Sequence, residues 1–112
     1  MNTLILPGKK TINTEQIVYL ESDSNYTIIH KTSLPNKVIT AKSLCYVQKA
    51  LGSKSFVRIN RQQVINIDRI TNFWEEKDTV NIEISSGNLF KTSRRRTSSV
   101  LNSLSPFQYE KD

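Results

Sequence analysis

Cysteine is nearly absent from this chain. Cys45 stands alone among 112 residues, which excludes an internal disulfide framework and fits a reducing compartment. Histidine is as scarce. With His30 alone, neither a His-based metal site nor a Ser-His-Asp arrangement can form around a partner histidine, and one cysteine cannot build a thiolate site. No apolar run approaches the roughly 20 residues that cross a bilayer. The N-terminus, MNTLILPGKK, carries its charges behind a four-residue apolar patch, the wrong order for a signal peptide. Linkers rich in Gly, Ser and Pro, low-complexity tracts and a convincing internal repeat are missing too. These absences lead to the expectation of a cytoplasmic, non-enzymatic protein with no cofactor, no metal and no membrane association. The length fits one domain, residues 1–112, with its core over about 12–104 and a flexible tail at 105–112.

Two fragments that could carry chemistry fall short. Gly8-Lys9-Lys10-Thr11 lacks the earlier glycine of a phosphate-binding loop, since position 3 is Thr. The acids Glu75, Glu76, Asp78 and Glu83 cluster around a hairpin and read as a solvated loop rather than a catalytic pair. His30 reads as a plain strand residue and Cys45 as a small buried hydrophobe. Phe56, Phe73, Trp74 and Phe90 read as core, because their irregular spacing lacks the aromatic surface of an RNA-recognition sheet.

What is present is focused basicity. The net charge is +6. Residues 54–69 hold Lys54, Arg58, Arg61 and Arg69 against Asp68, a balance of +3. Residues 91–96 hold Lys91, Arg94, Arg95 and Arg96 with no acid, a balance of +4, so the remainder is close to neutral. Charge concentrated in this way suggests a polyanionic partner. A membrane surface would call for a basic amphipathic helix or a polybasic tail. Here the basic residues sit in short strand-like segments and at one helix start, which favours nucleic acid.

The pattern is mainly β. Thr3–Leu6, Ile17–Ser22, Tyr26–Lys31, Val38–Thr40, Val64–Ile67 and Ile70–Trp74 read as strands, with turns at Asp23-Ser24-Asn25 and Leu34-Pro35-Asn36. Val57 and Ile59 alternate with Arg58 and Asn60, so one face meets a core and the other shows arginine. Thr79–Ser85 alternates most regularly, with Val80, Ile82 and Ile84 inward and Asn81, Glu83 and Ser85 outward, and turns through Ser86-Gly87-Asn88 into Leu89–Thr92. Thr40 can cap a helix over about Ala41–Leu51 that buries Leu44, Val47 and Leu51 and stops at Gly52. Ser93 can cap a second, to about Leu104, with Val100, Leu101 and Leu104 inward. That helix would place Arg94, Arg95 and Arg96 at the positive end of its dipole, where each cation is disfavoured by about 0.3–1 kcal/mol. A bound phosphate would reverse the sign.

Taken in order, IVYLESDSNYTIIH at Ile17–His30, the short helix before Leu51, FVRINRQQVINIDRI at Phe56–Ile70 and TSRRR at Thr92–Arg96 resemble the LytTR family, the DNA-binding domain of LytR- and AlgR-type bacterial transcription regulators. The family's usual His-Arg-Ser is Asn60-Arg61-Gln62 here. The resemblance implies an elongated antiparallel β architecture of small sheets with two short helices. It implies binding to double-stranded DNA, at repeated promoter elements and with a possible homodimer on the DNA, through loops at strand ends that enter successive grooves. Residue by residue, Asn25 and Tyr26 match one base-contacting loop, Asn60 and Arg61 match the segment at the central groove, and Ser93, Arg94, Arg95 and Arg96 match the other major-groove region. The chemistry suits these roles. Arginine forks onto guanine O6 and N7, with Arg95 the leading base reader, and Asn25 offers donor and acceptor to adenine. Tyr26 can stack or donate. Lys54, Lys91 and Arg61 would neutralise phosphates. Asn66 and Arg58 also match, with a structural share: Asn66 as turn-former, Arg58 on a strand face. Regulators of this type commonly carry a phosphorylatable receiver domain upstream; with the chain beginning at its own Met1 none is expected here, and control is expected to come from expression level, a small ligand, a partner protein, or not at all. The alternative is a non-catalytic module that binds RNA or an acidic protein through the same basic surface.

Overall fold

Two short segments make the same corner. In Ile12–Ile17 and again in Ile65–Ile70 an asparagine ends a strand, and its side-chain oxygen accepts the backbone N–H two residues on: Glu15 N to Asn13 Oδ1 at 2.9 Å, and Asp68 N to Asn66 Oδ1 at 3.0 Å. Each asparagine thereby caps one turn of 3-10 helix, Thr14–Gln16 or Ile67–Arg69, before an isoleucine opens the next strand.

The computed structural model describes residues 3–8, 10–52 and 55–104. In chain order the elements are β1 (Thr3–Leu6), β2 (Lys10–Asn13), β3 (Ile17–Asp23), β4 (Tyr26–Lys31), β5 (Lys37–Thr40), α1 (Leu44–Leu51), β6 (Phe56–Arg58), β7 (Gln63–Asn66), β8 (Ile70–Glu76), β9 (Thr79–Ile84), β10 (Leu89–Lys91) and α2 (Thr97–Leu104). They form three antiparallel sheets of order β1-β2, β5-β4-β3-β7-β6 and β10-β9-β8, in a body of 45 × 27 × 23 Å. This is the expected elongated β architecture with two short helices. The expected tail, 105–112, lies outside the described residues.

The β2 strand was not legible, because Lys10-Thr11 hides its period, yet it carries the buried Ile12 opposite the buried Leu4. The first helix starts later than the sequence suggests. Thr40 is taken by β5, where it pairs with Thr27, and Ser43 becomes the cap, its Oγ accepting Tyr46 N at 3.1 Å. Gly52 ends the helix in the left-handed region, φ 58°, as its position implied.

The absence of a repeat does not survive the structure. An offset of 53 residues carries β1-β2 onto β6-β7, with Thr3↔Asn13 becoming Phe56↔Asn66. It carries the β3-β4 hairpin onto β8-β9, bulge included, from Ile17↔Lys31 and Asp23↔Tyr26 to Ile70↔Ile84 and Glu76↔Thr79. The two hairpin tips place Ser24 and Lys77, again 53 apart, at the same positive φ of 56°. α1 and α2 coincide in length and offset. Side-chain identity is confined to a few corner and core positions, such as Ile12/Ile65, Asn13/Asn66, Ile17/Ile70, Ile29/Ile82, Val47/Val100 and Leu51/Leu104. Packing and corner geometry constrain those positions, whereas the surface has diverged.

Each half builds one side of the core. Leu4, Leu6, Ile12, Ile17, Leu20, Ile29, Leu44 and Val47 pack together with Phe56 and Val64 from the second half. Ile65, Ile67, Ile70, Val80, Ile82, Ile84, Val100 and Leu104 pack with Val18 and Tyr19 from the first. The join is β3 beside β7, whose successive residues Val64 and Ile65 point to opposite cores. Phe56 and Phe90 are buried and Phe73 packs against the second core, but Trp74 is 40% exposed on the outer face of the three-stranded sheet. Asn81 departs in the other direction. It lies on the central strand between Trp74 and Lys91, is buried, and donates to Glu76 Oε1 at 2.7 Å. Cys45 is exposed, on the α1 face turned away from Leu44 and Val47.

Asn66 ties the halves together. Its Nδ2 donates to the Ile17 carbonyl at 2.8 Å while the side chain is 3% exposed. Asn66→Ala orphans that carbonyl and the Asp68 N–H, so urea unfolding is expected to show a loss of about 2–3 kcal/mol; a loss under 0.5 kcal/mol would contradict the bridging role.

His30, on β4, stacks on Tyr19 with centroids 4.0 Å apart and lies 3.1 Å from Glu21 Oε1. Burial holds its pKa below the ordinary 6.5, Glu21 opposes this, and Lys37 adds to the lowering. The unfolded chain therefore takes up the proton first. This contribution to stability is full above about pH 6.5 and is lost as pH falls toward the lower folded value. Melting curves should show a stability decline on acidification through pH 6.5 that is smaller in His30→Gln; identical slopes would contradict the assignment.

Candidate nucleic-acid interface

Antiparallel pairing brings the ends of several strands to one edge of the molecule. The two-residue tip Ser24-Asn25 joins β3 and β4, residues 59–62 join β6 and β7, and residues 92–96 lead from β10 into α2. Backbone hydrogen bonds fasten them side by side. Ser22 N donates to the Gln62 carbonyl at 2.8 Å and Ser93 N to the Ile59 carbonyl at 3.0 Å. Ser22, Ser24, Asn60, Arg61, Gln62 and Ser93 line one open cleft of about 620 Å³.

The middle loop is held by side chains. Asn60 Oδ1 accepts Gln62 N at 2.8 Å, and Asn60 Nδ2 donates to Gln63 Oε1 at 3.0 Å and to the Lys91 carbonyl at 2.9 Å. The Asn60 amide is thus spent on internal bonds that join the loop to β10. Arg58 is spent as well. Its Nε donates to the Asn60 carbonyl at 2.9 Å and its Nη2 to the Arg61 carbonyl at 2.7 Å. Burial, then the Arg96 charge, holds the Arg58 pKa below the ordinary arginine value, yet an arginine stays charged at neutral pH. With its carbonyl held from behind, Arg61 itself stands exposed at the cleft.

Ser93 caps a turn of 3-10 helix over Arg94–Arg96, its Oγ accepting Arg96 N at 3.3 Å, and α2 proper begins only at Thr97. The triplet therefore occupies a separate tight turn ahead of the helix. Arg94 and Arg95 are exposed and Arg96 is half-buried. Arg94 Nε lies 3.9 Å from Asp78 Oδ2 at the β8-β9 tip, and Thr97 Oγ1 is 2.7 Å from the Asp78 carbonyl. Asn25 and Tyr26 are exposed at the other tip, and Lys91 is exposed at the end of β10. Lys54 lies outside the described residues. Of the candidate residues within them, all nine gather on this edge.

A family model described as the LytTr DNA-binding domain matches residues 8–105. The chain belongs to the LytTR family. LytTR domains are defined by DNA binding and transcription regulation, not by catalysis. Among solved structures, the LytTr DNA-binding domain of a protein described as a methyl-accepting/DNA response regulator from Bacillus cereus superposes with a TM-score of 0.76. The two are 20% identical, over 91% of this chain and 94% of that one, a likeness of fold. No curated protein matches the chain.

Within the LytTR frame, the sequence motifs name residues that lie near one another on this candidate edge but carry no sign of how it is braced. Ser22, Ser24 and Gln62 were not singled out, and the bracing by Arg58 had no local signal, because it depends on carbonyls two and three residues away folding back. Among the described residues no group of His, Cys, Asp and Glu is placed to hold a metal, and no helix is long and apolar enough to cross a membrane.

Proposed function

We propose that this LytTR domain reads duplex DNA in sequence-specific fashion and thereby regulates transcription in the cytoplasm. The observation that carries the reading is the convergence of three loops, from three separate stretches of sequence, on one basic edge. Arg95 and Arg94 enter one major groove, where an arginine fork can take guanine O6 and N7. Asn25 and Tyr26 enter the next. Arg61, Lys91, Arg96 and Lys54 neutralise phosphates and set the register. Ser93 supports the arginine turn as its cap, and Asn60 acts by holding Arg61 in place, since its own amide is occupied. The molecule's long dimension of 45 Å exceeds one helical turn of about 34 Å, a size compatible with contacts in successive grooves. Two copies would occupy spaced promoter repeats on one side of the duplex.

Titration of labelled duplex DNA across a salt series tests this. Affinity should fall with a log–log slope near −0.9 per phosphate neutralised, for several phosphates. Single-stranded RNA should compete poorly. Binding that is indifferent to salt, or preferential for RNA, would overturn the reading.

A further inference from the structure

We infer that Lys42 is a further DNA-backbone contact, lengthening the proposed interface beyond the Asn25-Tyr26 tip. The inference rests on the duplex-DNA reading above and on the internal duplication. Counted back from the two helices, the 53-residue offset places Lys42 on Arg95, and it places the Ser24-Asn25 tip on Lys77-Asp78, whereas β5 pairs one residue out of step with β10, so that Thr40 opposite Thr27 takes the place of Thr92 opposite Val80.

The local geometry supports the correspondence. In the second half the chain leaves β10 beside β9, with Thr92 N bonded to the Val80 carbonyl, and turns past the tip at Asp78 into α2. In the first half it leaves β5 beside β4, with Thr40 paired to Thr27, and turns past the tip at Asn25 into α1. Thr27 Oγ1 donates to the Lys42 carbonyl at 2.7 Å, which fixes the Lys42 backbone against the tip hairpin. Lys42 is exposed, and its Nζ lies 4.9 Å from the Tyr46 ring centroid, a cation–π contact that steadies the ammonium.

Sheet order sets the line of contacts. Since β5, β4, β3, β7 and β6 are neighbours at roughly 4.8 Å spacing, the end of β5 that leads into Lys42 stands about 19 Å from the β6 end, with the Asn25 tip and Arg61 between. The arginine turn continues the row beyond β6, through the Ser93–Ile59 bond. The halves differ in one informative respect. The position of Asp78, beside Arg94, is filled by Asn25 in the first half, and the acid of that tip, Asp23, belongs to the far strand β3. The Lys42 charge is left available to a phosphate.

The test measures duplex-DNA affinity of the full chain at several salt concentrations for the parent, Lys42→Ala, Arg61→Ala and Lys49→Ala. Lys49 sits in the last turn of α1, about 7 Å along the helix axis from its first residue Leu44, and its substitution removes the same charge. One phosphate contact makes up about a threefold share of the affinity lost between 50 and 200 mM salt. Lys42→Ala should weaken binding by about that factor at low salt and flatten the slope by about 0.9, with Lys49→Ala near parental. Circular dichroism confirms that each variant is folded. Equal behaviour of Lys42→Ala and the parent, with Arg61→Ala still impaired, would overturn the Lys42 assignment and leave the DNA reading intact. Equal effects of Lys42→Ala and Lys49→Ala would also overturn it, since net charge alone would then account for the loss. Failure of the parent to bind duplex DNA would remove both.

Discussion

Replacing Arg95 with alanine is expected to cost the DNA complex about 1–3 kcal/mol and to erase preference at a single base pair. The expectation follows from where the side chain sits. Arg94 has an acid 3.9 Å away at Asp78, and Arg96 is half-buried next to the braced Arg58, whereas Arg95 is exposed between them. It is the member of the triplet freest to extend its planar fork. Affinities for a set of single-base-pair variants of the target would check this. The Arg95→Ala profile should go flat at one position and keep its shape elsewhere. A uniform fall at every position would make Arg95 a phosphate contact.

Asn60→Ala should behave in the opposite way. The substitution removes an acceptor for Gln62 N and both donations, to Gln63 Oε1 and to the Lys91 carbonyl. The last of these crosses from the β6-β7 loop to β10, joining the part of the edge that carries Arg61 to the part that carries the arginine turn. Stability should fall by about 1–2 kcal/mol, the worth of a few part-exposed hydrogen bonds. DNA affinity should fall by about tenfold or more, 1.4 kcal/mol, because two contact regions lose their common register. The loss should be the same for every variant of the target sequence. Selective loss at one base pair would instead assign Asn60 to base reading.

Much of the fold was legible because period-2 alternation and turn residues are local signals. Val80, Ile82 and Ile84 lie inward as the alternation implied, and Gly52 stops α1 where only a residue tolerant of positive φ fits well. Errors arose where tertiary partners override local preference. Thr40 could cap a helix but is claimed by a strand pairing with Thr27, and the outward-facing Asn81 is covered by its neighbours Trp74 and Lys91 on either side. The duplication is hidden in the sequence for a related reason. Strand register repeats at 53 residues through the first four strands of each half, and helix length repeats too, while β5 and β10 differ by one residue in register, and the identities that remain are mostly small sets of Ile, Val and Leu, which any β-rich sequence supplies. The candidate edge was visible as two charge windows and three motifs. Its internal bracing by Arg58 and Asn60 was not, because an arginine on a strand face looks the same in sequence whether it points at solvent or at a carbonyl.

The central claim, that this edge reads sequence in duplex DNA, is tested most directly by selecting binding sites from a random duplex pool at near-physiological salt. Enrichment of a defined element, as a pair of spaced repeats if two copies bind together, is the predicted result. Recovery of DNA with no consensus, or no recovery at all, would contradict it.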